Sequence, residues 1–180
     1  NFKQLVQDNG PYGKQDVKKT TLVDRYKGKR LHSPNDAVYK SNGDLYFTDP
    51  PYGLEKRWED EKRELDFCGV YRLSKDGDLT LLTDEMTRPN GIAFSPDEKT
   101  LYVAQSDPEK AVWMAFDVKD NGTIANGRVF FDATPWVDKK KGLPDGLKID
   151  EEGNLGEPLT YENHLMSGFR PRGGWFSWDV

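Results

Sequence analysis

Apolar residues in this chain alternate with polar ones over short runs, and no long stretch keeps helical spacing. Residues 44–49 and 69–74 carry Leu, Val, Tyr and Phe between turn-forming residues. Such runs predict short strands. Residues 36–40 and 44–49 should pair as a hairpin across Ser41-Asn42-Gly43. Strands follow at 69–74 and 79–83, joined by the turn Lys75-Asp76-Gly77. A second set is expected at 91–94, 100–105, 112–118 and 128–132, with Asp120-Asn121-Gly122 between the last two. Residues 20–23 fit the outer strand of a preceding unit, and the charged stretch 55–64 reads as a solvated loop with room for a helical turn.

These sets are copies of one unit. Ser33-Pro34-Asn35-Asp36, Arg88-Pro89-Asn90-Gly91 and Leu143-Pro144-Asp145-Gly146 each open a run of the same pattern. From Asn35 to Asn90 is 55 positions, and from Asn90 to Asp145 is 55 again. Four short strands per unit of roughly 40–55 residues is the pattern of a propeller blade. The fold class is therefore an all-β propeller, here with about three blades. After Leu155 the pattern falters at Gly156-Glu157-Pro158, since proline removes a ladder hydrogen bond. The expected division is a partial propeller over 1–155 and an atypical C-terminal segment over 156–180.

Composition narrows the partners. With 26 Lys and Arg against 31 Asp and Glu, the net charge of −5 argues against nucleic acid. Aromatic residues at 12% argue against wholesale disorder. No apolar run approaches a membrane span, so no membrane partner is expected and the chain reads as soluble. The start at Asn1, without Met or a leader pattern, reads as processed or trimmed, which leaves cytoplasm and periplasm both open. Cys68 has no second cysteine to pair with and reads as a small buried strand residue. His32 beside Ser33 does not make a nucleophile pair, because neighbouring strand residues face opposite ways. Asn121-Gly122-Thr123 reads as a turn, and Lys139 to Lys141 as a solvated run.

The recurrent polar residues carry the chemistry. Equivalent positions in adjacent blades converge on the channel axis, so Asn35, Asn90 and Asp145 should point two amide oxygens and a carboxylate at one spot. Hard oxygen donors suit calcium. No histidine or second cysteine joins the set, which disfavours zinc and copper.

Several motifs give the stretch 25–155 a strong resemblance to the gluconolactonase or SMP-30/luciferin-regenerating-like family. They are Arg30-Leu31-His32-Ser33-Pro34-Asn35-Asp36, Tyr46-Phe47-Thr48-Asp49-Pro50-Pro51-Tyr52-Gly53, Arg88-Pro89-Asn90-Gly91-Ile92-Ala93-Phe94-Ser95-Pro96-Asp97 and Gly142-Leu143-Pro144-Asp145-Gly146. The resemblance implies a six-bladed propeller, a divalent metal (usually calcium, with zinc, manganese and magnesium open) and hydrolysis of a small lactone. It implies Asn90 and Asp145 as metal ligands, and Asn35 as ligand or substrate contact. Asp145 would also be the base, as the carboxylate of the recurrent set. Asp49 and Tyr52 are further substrate-binding candidates, with Ser106 and Asp107 behind them. An early Glu-Gly-Pro motif that supplies the family's remaining ligand is missing, and Glu157 in Gly-Glu-Pro is not assigned that role. At 55 residues per unit the chain holds little over three units, so an open blade edge invites self-association. The rival expectation is a truncated, catalytically impaired fragment that binds a metal or a partner.

Overall fold

A computed structural model describes residues 2–6, 18–139, 142–157, 167–169 and 175–177. Strands β1 (Phe2–Val6) and β2 (Lys18–Val23) pair antiparallel, and β3 (Arg25–Tyr26) and β4 (Lys29–Arg30) form a small hairpin. Then come three four-stranded antiparallel sheets. The first contains β5 (Ala37–Tyr39), β6 (Leu45–Asp49), β7 (Gly69–Leu73) and β8 (Leu79–Thr83) in that order. The second contains β9 (Pro89–Phe94), β10 (Thr100–Asp107), β11 (Lys110–Val118) and β12 (Ile124–Asp132). The third contains β13 (Lys148–Ile149), β14 (Leu155–Glu157), β15 (Ser167–Phe169) and β16 (Trp175–Ser177). Each is an up-and-down meander, which is a blade: the all-β propeller reading holds, with three blades.

The repeat extends to backbone conformation. Gly43, Glu98 and Gly153 lie 55 positions apart, and all have positive φ, +92°, +55° and +84°. Each closes the turn between the first two strands of its blade, donating its N–H to the carbonyl of Lys40, Ser95 or Asp150 three residues back.

Two details differ from expectation. β12 starts at Ile124 rather than 128, because the ladder slips by one residue near Asn126, whose φ is +51°. That bulge carries pairing through a stretch the sequence pattern leaves blank. The third blade also continues past Leu155. β14 is only three residues long and stops before Pro158, yet it pairs with β13 on one side and β15 on the other. The expected division after residue 155 thus runs through this sheet. Residues 158–166, 170–174 and 178–180 of the C-terminal segment lie outside the described residues, as do Lys140, Lys141 and Asn1. The charged loop contains one 3₁₀ turn, Arg57–Glu59.

The core lies between blades. Strand residues alternate faces, so neighbours in one strand serve two different cores. Leu45 and Phe47 pack with Leu31, Leu65, Tyr71 and Leu73, against Leu22, Val23 and Tyr26 of the leading strands. Tyr46, between them, packs the other way with Val70, Ile92, Phe94, Leu101, Val103 and Phe116, where the first two blades meet. Ala93 faces a third cluster with Ala104, Trp113, Leu147 and Leu155, where the second and third blades meet. Polar contacts lock the first boundary. The Tyr46 hydroxyl donates to Gly122 O at 2.7 Å, and Lys40 pairs with Glu98 at 2.7 Å, while Arg72 pairs with buried Asp44 within the first blade at 2.6 Å. Asn121-Gly122-Thr123 is a tight turn at that boundary, with Gly122 at φ +79° against Arg72.

Candidate active site

The first strand of the second blade is bulged where its asparagine sits. Between the pairs Val103↔Ile92 and Gln105↔Pro89, β9 has one more residue than β10. A bulge leaves a peptide group unpaired within its own sheet and re-aims it. Here the freed group is the Asn90–Gly91 peptide. Its carbonyl accepts the Thr48 hydroxyl of the first blade at 2.7 Å, and its N–H donates to Asp145 O at the entry to the third blade at 2.9 Å. Thr48 O in turn accepts the Asn35 N–H at 2.9 Å. The backbones bearing Asn35, Asn90 and Asp145 are thereby joined in one chain of hydrogen bonds. Asp36 adds a link, accepting the Ile92 N–H at 3.0 Å.

Gly91 makes this approach possible. A Cβ there would lie 2.2 Å from Asp145 O and 2.6 Å from Leu147 N. The second repeat therefore reads Pro-Asn-Gly where the first reads Pro-Asn-Asp.

The Asn90 side chain is buried, 6% exposed. Its Nδ2 donates to Ser106 Oγ at 2.8 Å, and the Ser106 hydroxyl makes a short hydrogen bond to Pro144 O. Asn90 Oδ1 has no protein partner among the described residues. The Tyr52 hydroxyl is also buried, and lies beside Ser106 and Asn90 without making a well-formed hydrogen bond to either. Burial raises the Tyr52 phenol above its ordinary range, while Ser106 and Arg88 pull it down and Asp145 pushes it up. Trp58 braces the ring edge-on at 5.1 Å, and the Arg88 guanidinium stacks on Trp58 at 4.7 Å. Tyr52 therefore belongs to the Asn90 and Asp145 neighbourhood. Asn35 is exposed and Asp145 is half-buried.

Asp49 is placed differently. It is fully buried, and its Oδ2 accepts the His32 N–H at 2.8 Å. In the second blade, Gln105 Oε1 accepts the Thr87 N–H at 2.9 Å, 55 positions on from His32. Each side chain ties down the residue three positions before a recurrent asparagine, Asn35 or Asn90. Burial pushes the Asp49 carboxyl up to about 6, against the pull of the His32 and Ser33 N–H groups. Asp107 accepts the Thr87 hydroxyl and the Glu109 N–H, which closes the turn at the end of β10. The Ser33 hydroxyl donates to Pro50 O while His32 Nε2 contacts Leu65 O, so the two side chains anchor separate parts of the loop. Burial raises the Cys68 thiol to about 11, which keeps it protonated.

Sequence reasoning missed Thr48 as a linker, because a threonine inside an apolar strand carries no sign of its neighbour across the blade boundary. The 55-residue interval from His32 to Thr87 was the signal that could have exposed the shared anchor role of Asp49 and Gln105. Among the described residues no three His, Cys, Asp or Glu side chains cluster as a metal site. The recurrent donors include two amides, and the unpartnered, buried Asn90 Oδ1 is a hard oxygen donor of the kind calcium takes. These residues fit such an ion.

A family profile described as the SMP-30/gluconolactonase/LRE-like region matches residues 7–173. The chain belongs to the SMP-30/gluconolactonase/LRE-like family. Within this family, a gluconolactonase of Zymomonas mobilis is 42% identical over 139 residues, which is 76% of this chain and 39% of that protein. The solved structure of a gluconolactonase from Xanthomonas campestris superposes with a TM-score of 0.72 at 36% identity, covering 88% of this chain and 50% of that one. A regucalcin from Agrobacterium tumefaciens, described as a calcium-binding protein, shares the fold at 23% identity and a TM-score of 0.63, over 80% of this chain and 44% of that one. The chain thus spans half or less of the length of these family members. No helix among the described residues is long and apolar enough to cross a membrane.

Proposed function

We propose that this chain carries the metal- and substrate-facing part of a lactonase that opens a sugar lactone to the free acid. The observation that carries the reading is the buried Asn90 Oδ1, oriented by Ser106 and left without a protein partner, with the unpartnered Tyr52 hydroxyl beside it. Asn90, Asp145 and Asn35 would hold a divalent ion, calcium by donor type. An ion held there would supply Lewis-acid polarisation of a lactone carbonyl. Asp145 takes a proton from the attacking water as the water oxygen bonds to the carbonyl carbon, and returns it to the ring oxygen when the carbon–oxygen ring bond breaks. Asn35 orients the water or the substrate. Tyr52 donates a hydrogen bond to a substrate oxygen, and Asp49 serves binding through the loop it anchors. The gluconolactonase names of the two most similar relatives described above point to gluconolactone as the first substrate to test.

The test is acid release from gluconolactone, followed at constant pH with calcium, with a chelator, and with Asp145→Asn. Calcium-dependent turnover abolished by chelator and by the substitution is expected. Full turnover in the chelator rejects the metal role. The limited share of its relatives that the chain spans favours a second reading, binding without turnover, which predicts calcium binding and no acid release.

A further inference from the structure

A hydroxyl at the end of β10 decides which way the Asn90 amide faces. The Pro144 carbonyl has no proton to give, so the short contact with it must use the Ser106 hydroxyl proton. With that proton committed, Ser106 Oγ can only accept from Asn90. The amide must therefore turn its NH2 toward Ser106 at 2.8 Å and its oxygen away, which is how it stands. Ser106 is itself held in place, buried, with its N–H donating to Arg88 O at 3.0 Å. Pro144 immediately precedes Asp145, so the same hydroxyl ties the second-blade donor to the third-blade donor.

We propose that Ser106 is a positioning residue that orders the Asn90 amide and draws the Pro144–Asp145 segment against it, setting both donors before any ligand arrives. This rests on the metal-site reading for its functional consequence, but not for its structural content. It explains the difference between equivalent positions. An aspartate at 90 would turn a second acceptor toward Ser106 and compete with Pro144 for its one proton. Asn90 supplies the donor that the Ser106 oxygen requires, which a carboxylate at this position could not. A side chain lacking the hydroxyl at 106 leaves the Pro144 carbonyl and the Asn90 NH2 both without this partner, and the amide loses the acceptor that fixes which way its NH2 faces.

Two readouts test this. In metal-free, 15N-labelled protein, the Asn90 side-chain amide protons should exchange slowly in wild type and in Ser106→Thr, and fast in Ser106→Ala. Calorimetric titration with calcium should show affinity weakened about 10–100-fold in Ser106→Ala, the usual cost of losing a group that orients a ligand, and near wild type in Ser106→Thr. A merely structural serine would change thermal stability without this pattern across the two substitutions. Unchanged amide exchange in Ser106→Ala overturns the proposal, as does unchanged calcium affinity with the amide released. If wild type binds no calcium, the metal reading fails by itself, and amide exchange still decides the role of Ser106. Should Ser106→Ala fail to fold, rapid amide exchange in wild type or in Ser106→Thr overturns the proposal equally, and slow exchange in both supports it.

Discussion

Asp49 and Gln105 occupy one role with different chemistry. Each accepts a backbone N–H three residues before a recurrent asparagine, but Gln105 also donates, from Nε2 to Lys110 O at 3.0 Å. Asp49 has no such proton when ionised, and its Oδ1 lacks a partner among the described residues. An aspartate in the unfolded chain ionises near 3.8, and in the folded protein near 6. Between those values the folded state keeps a proton that the unfolded state has lost. This contribution to stability is complete below 3.8, falls as pH rises, and is gone above about 6. Asp49→Asn removes it while keeping the acceptor for His32. Relative to wild type, the variant should gain stability between pH 4 and 7, on the order of 2–3 kcal/mol. Urea unfolding across that range checks this, and a constant difference between the two proteins would contradict it. From sequence, Asp49 looked like a residue of the site because it ends a strand at the right place. Its identity as an anchor became legible only when the second blade offered an amide in the same position.

At the scale of strands and turns, Glu98 stands where the other two repeats have glycine. Its backbone has φ +55°, which costs a residue with a side chain on the order of 1 kcal/mol or more. The offset lies across the blade boundary. Its carboxylate meets Lys40 Nζ at 2.7 Å, the Ser41 N–H at 2.7 Å and the Ser41 hydroxyl at 2.6 Å. Glu98→Ala keeps the strain and loses all three bonds, so it should destabilise by about 1–3 kcal/mol. Glu98→Gly loses the same bonds but relieves the backbone, and should cost less. Equal losses in chemical denaturation would show that the turn carries no strain. Gly91→Ala belongs here too. Its new methyl group must displace β13 or its approach at Asp145, and overpacking of this kind costs about 1–3 kcal/mol. A lowered melting temperature together with weakened calcium binding is expected. The strands of the first two blades were legible because apolar alternation and Asn-Gly or Asp-Gly turns coincide in them. The third blade was less so. Its first two strands have two and three residues, too few to display a period.

For the molecule as a whole, the proposed donors belong to different blades, so a cation bound by them would tie blades together. It stabilises the folded state by an amount that grows with the logarithm of its concentration over Kd, about 2.7 kcal/mol at a hundredfold excess. Calcium should raise the melting temperature of wild type and leave that of Asp145→Asn nearly unmoved. An equal rise in both would mean that the ion binds elsewhere. The propeller architecture could be read from a 55-residue interval, since phase is preserved even where composition drifts. The junctions between blades could not be read, because they depend on single groups such as Thr48, Ser106 and the missing Gly91 Cβ.

The Asn90–Gly91 peptide has a consequence for how such chains can be recombined. Its oxygen is claimed from one side and its hydrogen from the other, so the second unit fits only neighbours that present a hydroxyl before it and a carbonyl after it. Hybrids spliced just upstream of β9 or β13 would import a mismatched border. A splice in the exposed turn at 41–43 would keep Thr48, Asn90, Gly91 and Asp145 on one side of the joint, so that both halves of each of these contacts travel together.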